Sequence, residues 1–374
     1  MNFFRKIFNI KSHDDLAIKE ITNANYEDNS KGYIEKAKLE FESKNYSSSL
    51  VLLDKAINLD KNNALAFIER SKVKRLLNDL NGATNDLQVA KKLMTYLDEG
   101  LKYNDIAGEE YDKENYQEAI KNYTKAFSYL PSLSGSYLYS GLSKLYLEDY
   151  NGALEDFNKS IGLNSSNKAD AYNNRSEIKS LNLNDKKGAI EDLNEAINID
   201  PNEELYYYNR SLLQKGIDKI RDLDSAITIN KSNPEYYLSR CIAKTKIEDY
   251  NGGIDDITKY IELNEITDLT ISEAYSLRAG LRIYLDDIEG SLNDHNLAIK
   301  TDNRNANAIL DRGIIYDILN KKEEALLDFD KAIELNKELA DAYFHRGVLK
   351  QSIGMEDDGV MDVIRAKSMG FVEN

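Results

Sequence analysis

Along most of the chain, apolar residues recur at the three- and four-residue intervals of amphipathic helices, in blocks separated by short polar stretches. The blocks come in pairs and read as helix, turn, helix. The turn is placed at Asn-Gly in several pairs, as at Asn81-Gly82, Asn151-Gly152 and Asn251-Gly252. The pairs themselves repeat. Glu148-Asp149-Tyr150-Asn151-Gly152-Ala153 returns as Glu248-Asp249-Tyr250-Asn251-Gly252-Gly253, and DKAINLD from Asp54, NEAINID from Asn194 and DKAIELN from Asp330 are variants of one helix end. The small residue of that phrase is found at Ala56, Ala90, Ala126, Ser160, Ala196, Ala226, Ala298, Ala332 and Ala366, with Tyr260 as the one exception in the series. The successive spacings are 34, 36, 34, 36, 30, 34, 38, 34 and 34, so the period is 34. A second row of small residues, Ala37, Ser71, Gly141, Ser176, Ser211, Cys241, Ala279, Gly313 and Gly347, sits eighth in the first helix of each pair. Small side chains at facing positions let two antiparallel helices approach closely.

Composition narrows the class. Only three prolines occur, and Leu, Ile, Ala, Lys, Glu and Asn abound, which fits an almost wholly helical protein. With 41% hydrophobic residues, 25 Tyr and 10 Phe, the chain is too apolar and aromatic for a disordered acidic polymer. The 65 acidic against 49 basic residues give a net charge of −16, the wrong sign for a binder of nucleic-acid backbone. The single cysteine, Cys241, leaves no intrachain disulfide and no Cys-based zinc site. No apolar run approaches the ~18 residues of a membrane-spanning helix.

Ten such units in register resemble the tetratricopeptide repeat family, whose pattern has an aromatic at position 4, a small residue at 8, aromatics near 11 and 17, Ala at 20, an aromatic at 24, Ala at 27 and Pro near 32. The fourth unit matches with Tyr137, Gly141, Tyr150, Ala153 and Phe157, with Ser160 in place of Ala. The third has Tyr103, Tyr116, Ala119, Tyr123, Ala126 and Pro131, and the ninth Gly313, Tyr316, Ala325, Phe329 and Ala332. The resemblance implies an all-α protein, a right-handed α-solenoid superhelix of about ten helix-turn-helix units over residues 30–374. Residues 1–29 then form a separate N-terminal segment, a short amphipathic helix or cap. The sixth unit is four residues short, and about four extra residues follow the seventh, so irregular stacking is expected near 212–220 and 264–271.

A row of arginines stands at position 7: Arg70, Arg175, Arg210, Arg240, Arg278, Arg312 and Arg346. In the same units an aspartate precedes the family's aromatic position in the second helix: Asp86, Asp192, Asp222, Asp256, Asp294, Asp328 and Asp362. Five of the pairs are 16 residues apart, one 17 and one 12, the last two where the turn has gained or lost residues. Where Lys36 and Ile106 replace the arginine, Leu52 and Asn122 replace the aspartate, and only Ser140 with Asp156 breaks the pairing. The pattern predicts intra-unit Arg–Asp pairs that set register, and not a stripe for an anionic ligand, because a planar guanidinium suits bidentate carboxylate contact.

Catalytic chemistry is not legible. The three histidines, His13, His295 and His345, have no second His or Cys at metal-ligand spacing, and His295 stands where the repeat has an aromatic. Cys241 occupies a small packing position. No glycine is followed by lysine, and neither G-x-S-x-G nor G-x-G-x-x-G occurs. No enzyme, cofactor or metal is expected.

In the resembling family, positions 2, 5, 9, 12 and 13 of the first helix line a concave groove that takes peptides. Carried over, these positions give Leu138, Leu142, Leu145 and Tyr146 in the fourth unit, Tyr208 and Leu212 in the sixth, and Leu238 and Ile242 in the seventh. Ile283 and Tyr284 follow in the eighth, Leu310 and Ile314 in the ninth, and Phe344 in the tenth. The first three units are charged and mixed at the equivalent places, with Lys31, Lys38, Lys72, Arg75, Lys102, Asp105, Glu109, Asp112 and Lys113. No three consecutive units supply the Lys, Asn and Arg set of the family's carboxylate clamp, so chaperone tails are not the expected partner.

The N-terminal run of Phe3, Phe4, Arg5, Lys6, Ile7, Phe8, Ile10 and Lys11 mixes apolar and basic residues, and no cleavage site of a secretory leader follows it. The expected protein is a cytoplasmic, non-enzymatic scaffold whose groove binds a protein or peptide with apolar anchors and some basic residues. The alternatives are homotypic assembly through the solenoid ends or the N-terminal arm, and a membrane-surface adaptor acting through the same basic-apolar arm. Membrane binding is the least expected of these.

Overall fold

The computed structural model describes residues 29–163, 166–264 and 269–372. The expected cap or helix of residues 1–29 falls, apart from Asn29, outside the described residues, as does the insertion at 265–268. The described residues form helices and connecting turns, with no strand among them. The chain divides into two compact blocks, parted between Asp200 and Pro201.

The first block contains α1 (Ser30–Glu42), α2 (Tyr46–Leu59), α3 (Ala64–Leu76), α4 (Leu80–Asp112), α5 (Tyr116–Tyr129), α6 (Ser134–Tyr146), α7 (Tyr150–Gly162), α8 (Lys168–Leu181) and α9 (Lys186–Ile199). The second contains α10 (Glu204–Leu212), α11 (Gly216–Ile229), α12 (Pro234–Thr245), α13 (Tyr250–Leu263), α14 (Leu269–Ile283), α15 (Ile288–Thr301), α16 (Ala306–Ile318), α17 (Lys322–Leu335), α18 (Ala340–Ser352) and α19 (Glu356–Ser368). Within each block, helices adjacent in sequence pack as successive hairpins.

The hairpin turn has a uniform chemistry. In α1–α2 the amide of Lys44 donates to the Phe41 carbonyl and that of Asn45 to the Glu40 carbonyl, while Lys44 sits at φ 64°. This is the Schellman closure of a helix by one left-handed residue. The same two bonds recur around Asn78, Glu114, Glu148, Glu248, Asp286, Asn320 and Gly354. After the left-handed residue comes an N-cap: Asp79, Asp149, Asp249 and Asp287 each accept from the amide of a glycine three residues on.

That geometry corrects the turn assignment at Asn-Gly. Asn81-Gly82, Asn151-Gly152 and Asn251-Gly252 lie inside the first turn of the second helix, and the turn itself is the residue pair before it. The glycine is required by the cap: a Cβ on Gly152 would stand 2.2 Å from the Asp149 carboxylate. The small position eight answers to packing instead. A Cβ on Gly141 would stand 2.6 Å from the Phe157 ring of the partner helix.

One expected break is missing. The second helix of the second unit and the first helix of the third run together as α4, 33 residues long. Ordinary junctions between units are turns such as Asp60-Lys61-Asn62-Asn63 or Asn336-Lys337-Glu338-Leu339, whose Asn and Asp side chains cap the turn. At Met94-Thr95-Tyr96-Leu97 there is neither Asn nor Pro to stop the helix, so it continues. The apolar core is accordingly split within the first block. One cluster centres on Ile34, Leu53 and Val73, another on Tyr123, Leu138, Phe157 and Ile178. In the second block the clusters centre on Tyr236, Ile257 and Leu281, and on Ile309, Phe329 and Leu349. The short sixth unit is visible as α10, 9 residues long, followed by Gly216 at φ +58°.

Candidate functional site

The position-7 arginines and their aspartates meet in every unit that has both. In all seven pairs Nε donates to one carboxylate oxygen at 2.8–2.9 Å and Nη2 to the other at 2.5–2.8 Å. Hairpin geometry puts position 7 of the first helix opposite the second helix, so the pair closes across the hairpin.

Three further features are absent from the sequence reading. The remaining nitrogen, Nη1, reaches back to the preceding unit: Arg70 to Asp54, Arg175 to Asn158, Arg240 to Asp224, Arg278 to Thr258, Arg312 to Asn296 and Arg346 to Asp330. In six of the seven the guanidinium also lies over the aromatic three residues before it, as Arg175 over Tyr172 at 5.1 Å and Arg346 over Tyr343 at 5.4 Å, while Arg312 lies over Tyr316. Finally, a second cation one turn on, Lys74, Lys144, Lys179, Lys244, Arg282 or Lys350, binds the same aspartate at 2.6–3.2 Å. A Lys or Arg four residues after position 7 was the signal available in the sequence.

The exception at Ser140 is repaired rather than broken. Its hydroxyl donates to Asp156 at 2.6 Å and Lys144 supplies the charge. Burial pushes the carboxyls of Asp86 and Asp362 up, but the bonds from their two cations outweigh it and hold both below the usual carboxylate range. The hydrogen bond to Asp86 raises the pKa of Arg70 still further above neutrality. Six of the seven guanidiniums thus spend Nε, Nη1 and Nη2 inside the fold, which leaves little to offer an anionic ligand.

The face shared by the first helices is uneven. In the first block Leu138 and Leu142 are 3% and 7% exposed and belong to the core, so their assignment as partner contacts is corrected. Leu145 packs half-buried against that core, and Tyr146 is exposed and stacks on Tyr116 at 4.5 Å. In the second block Leu310 is likewise core and is corrected on the same ground. Tyr208, Leu238 and Ile314 are half-buried against their clusters. Ile283 is also half-buried, and Phe344 stacks on Phe371 at 4.2 Å. Leu212, Ile242 and Tyr284 are open, at 53%, 43% and 66%. Ile318 and Val348, on α16 and α18, are exposed as well. Four first helices of the second block therefore present a large apolar side chain to solvent, and α14 is followed directly by Tyr284, which stacks on Tyr250 at 4.6 Å.

Chemical groups elsewhere are packed. Burial pushes the Cys241 thiol up to about 11, out of the range of a reactive thiolate. His295 is buried, with no partner for Nδ1. Among the described residues, no three His, Cys, Asp or Glu side chains group as metal ligands, and no helix is long and apolar enough to cross a membrane.

A family model described as a tetratricopeptide repeat matches residues 169–203 and 306–339, which are the hairpins α8–α9 and α16–α17. The chain carries tetratricopeptide repeats. Comparison with curated proteins gives no match. Among solved structures, the C-terminal part of a tetratricopeptide repeat protein from Cytophaga hutchinsonii is 16% identical, with TM-score 0.56 over 64% of this chain and 97% of that one. A tetratricopeptide repeat protein from Parabacteroides merdae is 17% identical, with TM-score 0.44 over 64% and 94%. Yeast Tom70 is 16% identical, with TM-score 0.38 over 99% and 90%. The first of these likenesses shows the repeat fold.

Proposed function

We propose that this chain is a non-enzymatic scaffold that holds a peptide segment of a partner protein on the first-helix face of residues 201–374. The observation that carries this reading is the series Leu212, Ile242, Tyr284, Ile318 and Val348, one exposed apolar side chain on each first helix or, for Tyr284, directly after it. Such residues are costly to leave in water and act as anchors once a partner covers them. The same first helices carry Glu235, Glu273 and Asp341, which favour a segment carrying Lys or Arg beside its apolar residues. A cytoplasmic setting fits a chain with one buried cysteine.

The test is calorimetric titration with amphipathic peptides of alternating apolar and basic composition. Ile242→Asp with Tyr284→Asp is expected to weaken binding at least tenfold, or about 1.4 kcal/mol, with the circular dichroism unchanged. Undiminished binding would overturn the reading. Leu142 is not a usable target, because a buried aspartate there would unfold the hairpin. Homotypic assembly is the second reading, favoured by Val360, Met361 and Ile364 exposed on the outer face of α19. Light scattering at two concentrations separates the two.

A further inference from the structure

The last hairpin departs from the repeat on the side of its second helix where earlier hairpins take the next one. Two residues before the aspartate of that helix, Leu154, Ile254 and Leu326 are half-buried against clusters that reach into the following hairpin. Val360 holds the same place in α19 and is 47% exposed. Two residues after the aspartate, Asn158, Asp224, Thr258, Asn296 and Asp330 accept from the arginine of the next unit. In α19 that place holds Ile364, which is exposed. Five residues after the aspartate, Ile161, Ile261 and Ile333 are half-buried against the same clusters, and α19 has Lys367. The polar and apolar places have changed over, so this face of α19 is unlike one that takes a further hairpin of the repeat.

We propose that the occupant of this face is α19 of a second copy, lying antiparallel across a two-fold axis. This rests on the homotypic reading and is independent of the peptide reading. Asp357, Val360, Ile364 and Lys367 follow one another at intervals of three, four and three residues, so they form one seam along the helix. Val360 and Ile364 stand two residues either side of Asp362, and Asp357 and Lys367 five residues either side. A two-fold axis at the level of Asp362 therefore sets Val360 of each copy against Ile364 of the other, and Asp357 of each beside Lys367 of the other. The two charge pairs then lie about 15 Å apart along the seam, with the apolar contacts between them. More generally, α19 has its acids in the first turn, Glu356, Asp357 and Asp358, and Arg365 and Lys367 in the last. Antiparallel pairing brings unlike charges together at both ends, where parallel pairing would oppose like charges. The interface is isologous, so it closes at two copies. One helix from each copy makes a small contact, and the association is expected to be weak and concentration-dependent.

Sedimentation equilibrium of the full-length protein, over about a hundredfold range of concentration, should show monomer and dimer in exchange and no larger species. Ile364→Asp, at an exposed place, should weaken the dimer about tenfold with the circular dichroism unchanged. Asp357→Lys and Lys367→Asp, each alone, should also weaken it, because like charges then meet at both ends of the seam. An equimolar mixture of those two variants should dimerise again, because a seam with two lysines then meets a seam with two aspartates. A protein that is monomeric at every concentration overturns this proposal and the homotypic reading together. A dimer indifferent to Ile364→Asp overturns the proposal alone, because the copies then meet through another face. A mixture that associates no better than its components overturns the antiparallel pairing, and open-ended polymers overturn the two-fold axis.

Discussion

At the residue scale, the repeat makes departures informative. Position 24 holds an aromatic or a large aliphatic residue in the other units, such as Phe157, Ile257 and Phe329, and the eighth holds His295, buried and pushed down to about 4, first by burial and against the nearby Asp294. Its folded pKa lies below the ordinary 6.5, so the neutral form is the one the core accepts. Stability of the second block should be intact above pH 6.5 and decline as the pH falls toward 4, by about 3 kcal/mol in all. His295→Phe, the residue that the fourth and ninth units hold at this place, should remove that decline. Thermal melts from pH 7 to pH 4 measure it, and equal pH slopes for the two proteins would contradict the assignment. The carboxylate network titrates in a lower window, since Asp86 and Asp362 are held below the usual range and lose their contribution only as the pH falls through those lowered values. The role of His295 was legible in the sequence because its position in the repeat was. Its orphaned Nδ1 was not, because that depends on what the neighbouring helices bring.

At the element scale, the hairpin is fastened where first and second helix cross. The Arg–Asp spacing was readable because both partners belong to one unit and keep one separation. The bond from Nη1 was not, because its acceptor lies in the preceding unit and varies among Asp, Asn and Thr. Asp256 accepts from Arg240 and Lys244 while 2% exposed. Asp256→Ala leaves both cations without their shared carboxylate and is expected to cost about 3–5 kcal/mol. The melting temperature of the second block should drop, while peptide affinity measured below that temperature stays the same. A loss of affinity at full stability would instead make the aspartate a ligand contact. The fusion in α4 escaped the sequence reading because the period of small residues runs through it, Ala90 to Ala126, without a gap that signals a missing turn. What marked it was the lack of Asn and Pro at Tyr96-Leu97.

At the scale of the molecule, repeats are joined unequally. In the first block, guanidiniums tie the second unit to the first through Arg70 and the fifth to the fourth through Arg175. The third unit has Ile106 and the fourth Ser140 at that place, so neither has such a tie. Between the third and fourth units the contact is aromatic, with Phe127 on Tyr137 at 3.8 Å and Tyr116 on Tyr146 at 4.5 Å. Salt should separate the two kinds of joint, because the acceptor Asp54 is half exposed, and at 1 M the screening length falls to about 3 Å. Amide exchange of α2 and α3 is expected to speed up in 1 M potassium chloride relative to that of α5 and α6, and a uniform change would count against the distinction. Which faces are open was the least legible property: Leu142 and Ile242 hold the same place in the repeat and are 7% and 43% exposed, because burial there depends on what the neighbouring helices bring. The second and third units are joined through α4 itself, a rod of about 50 Å, with Tyr96 against Tyr129 at 5.6 Å beside the junction. An inserted or deleted residue in any Asn-capped turn is absorbed locally. The same change in the middle of α4 would turn every later hairpin of that block by about 100°, so this one segment should tolerate substitution far better than any change in its length.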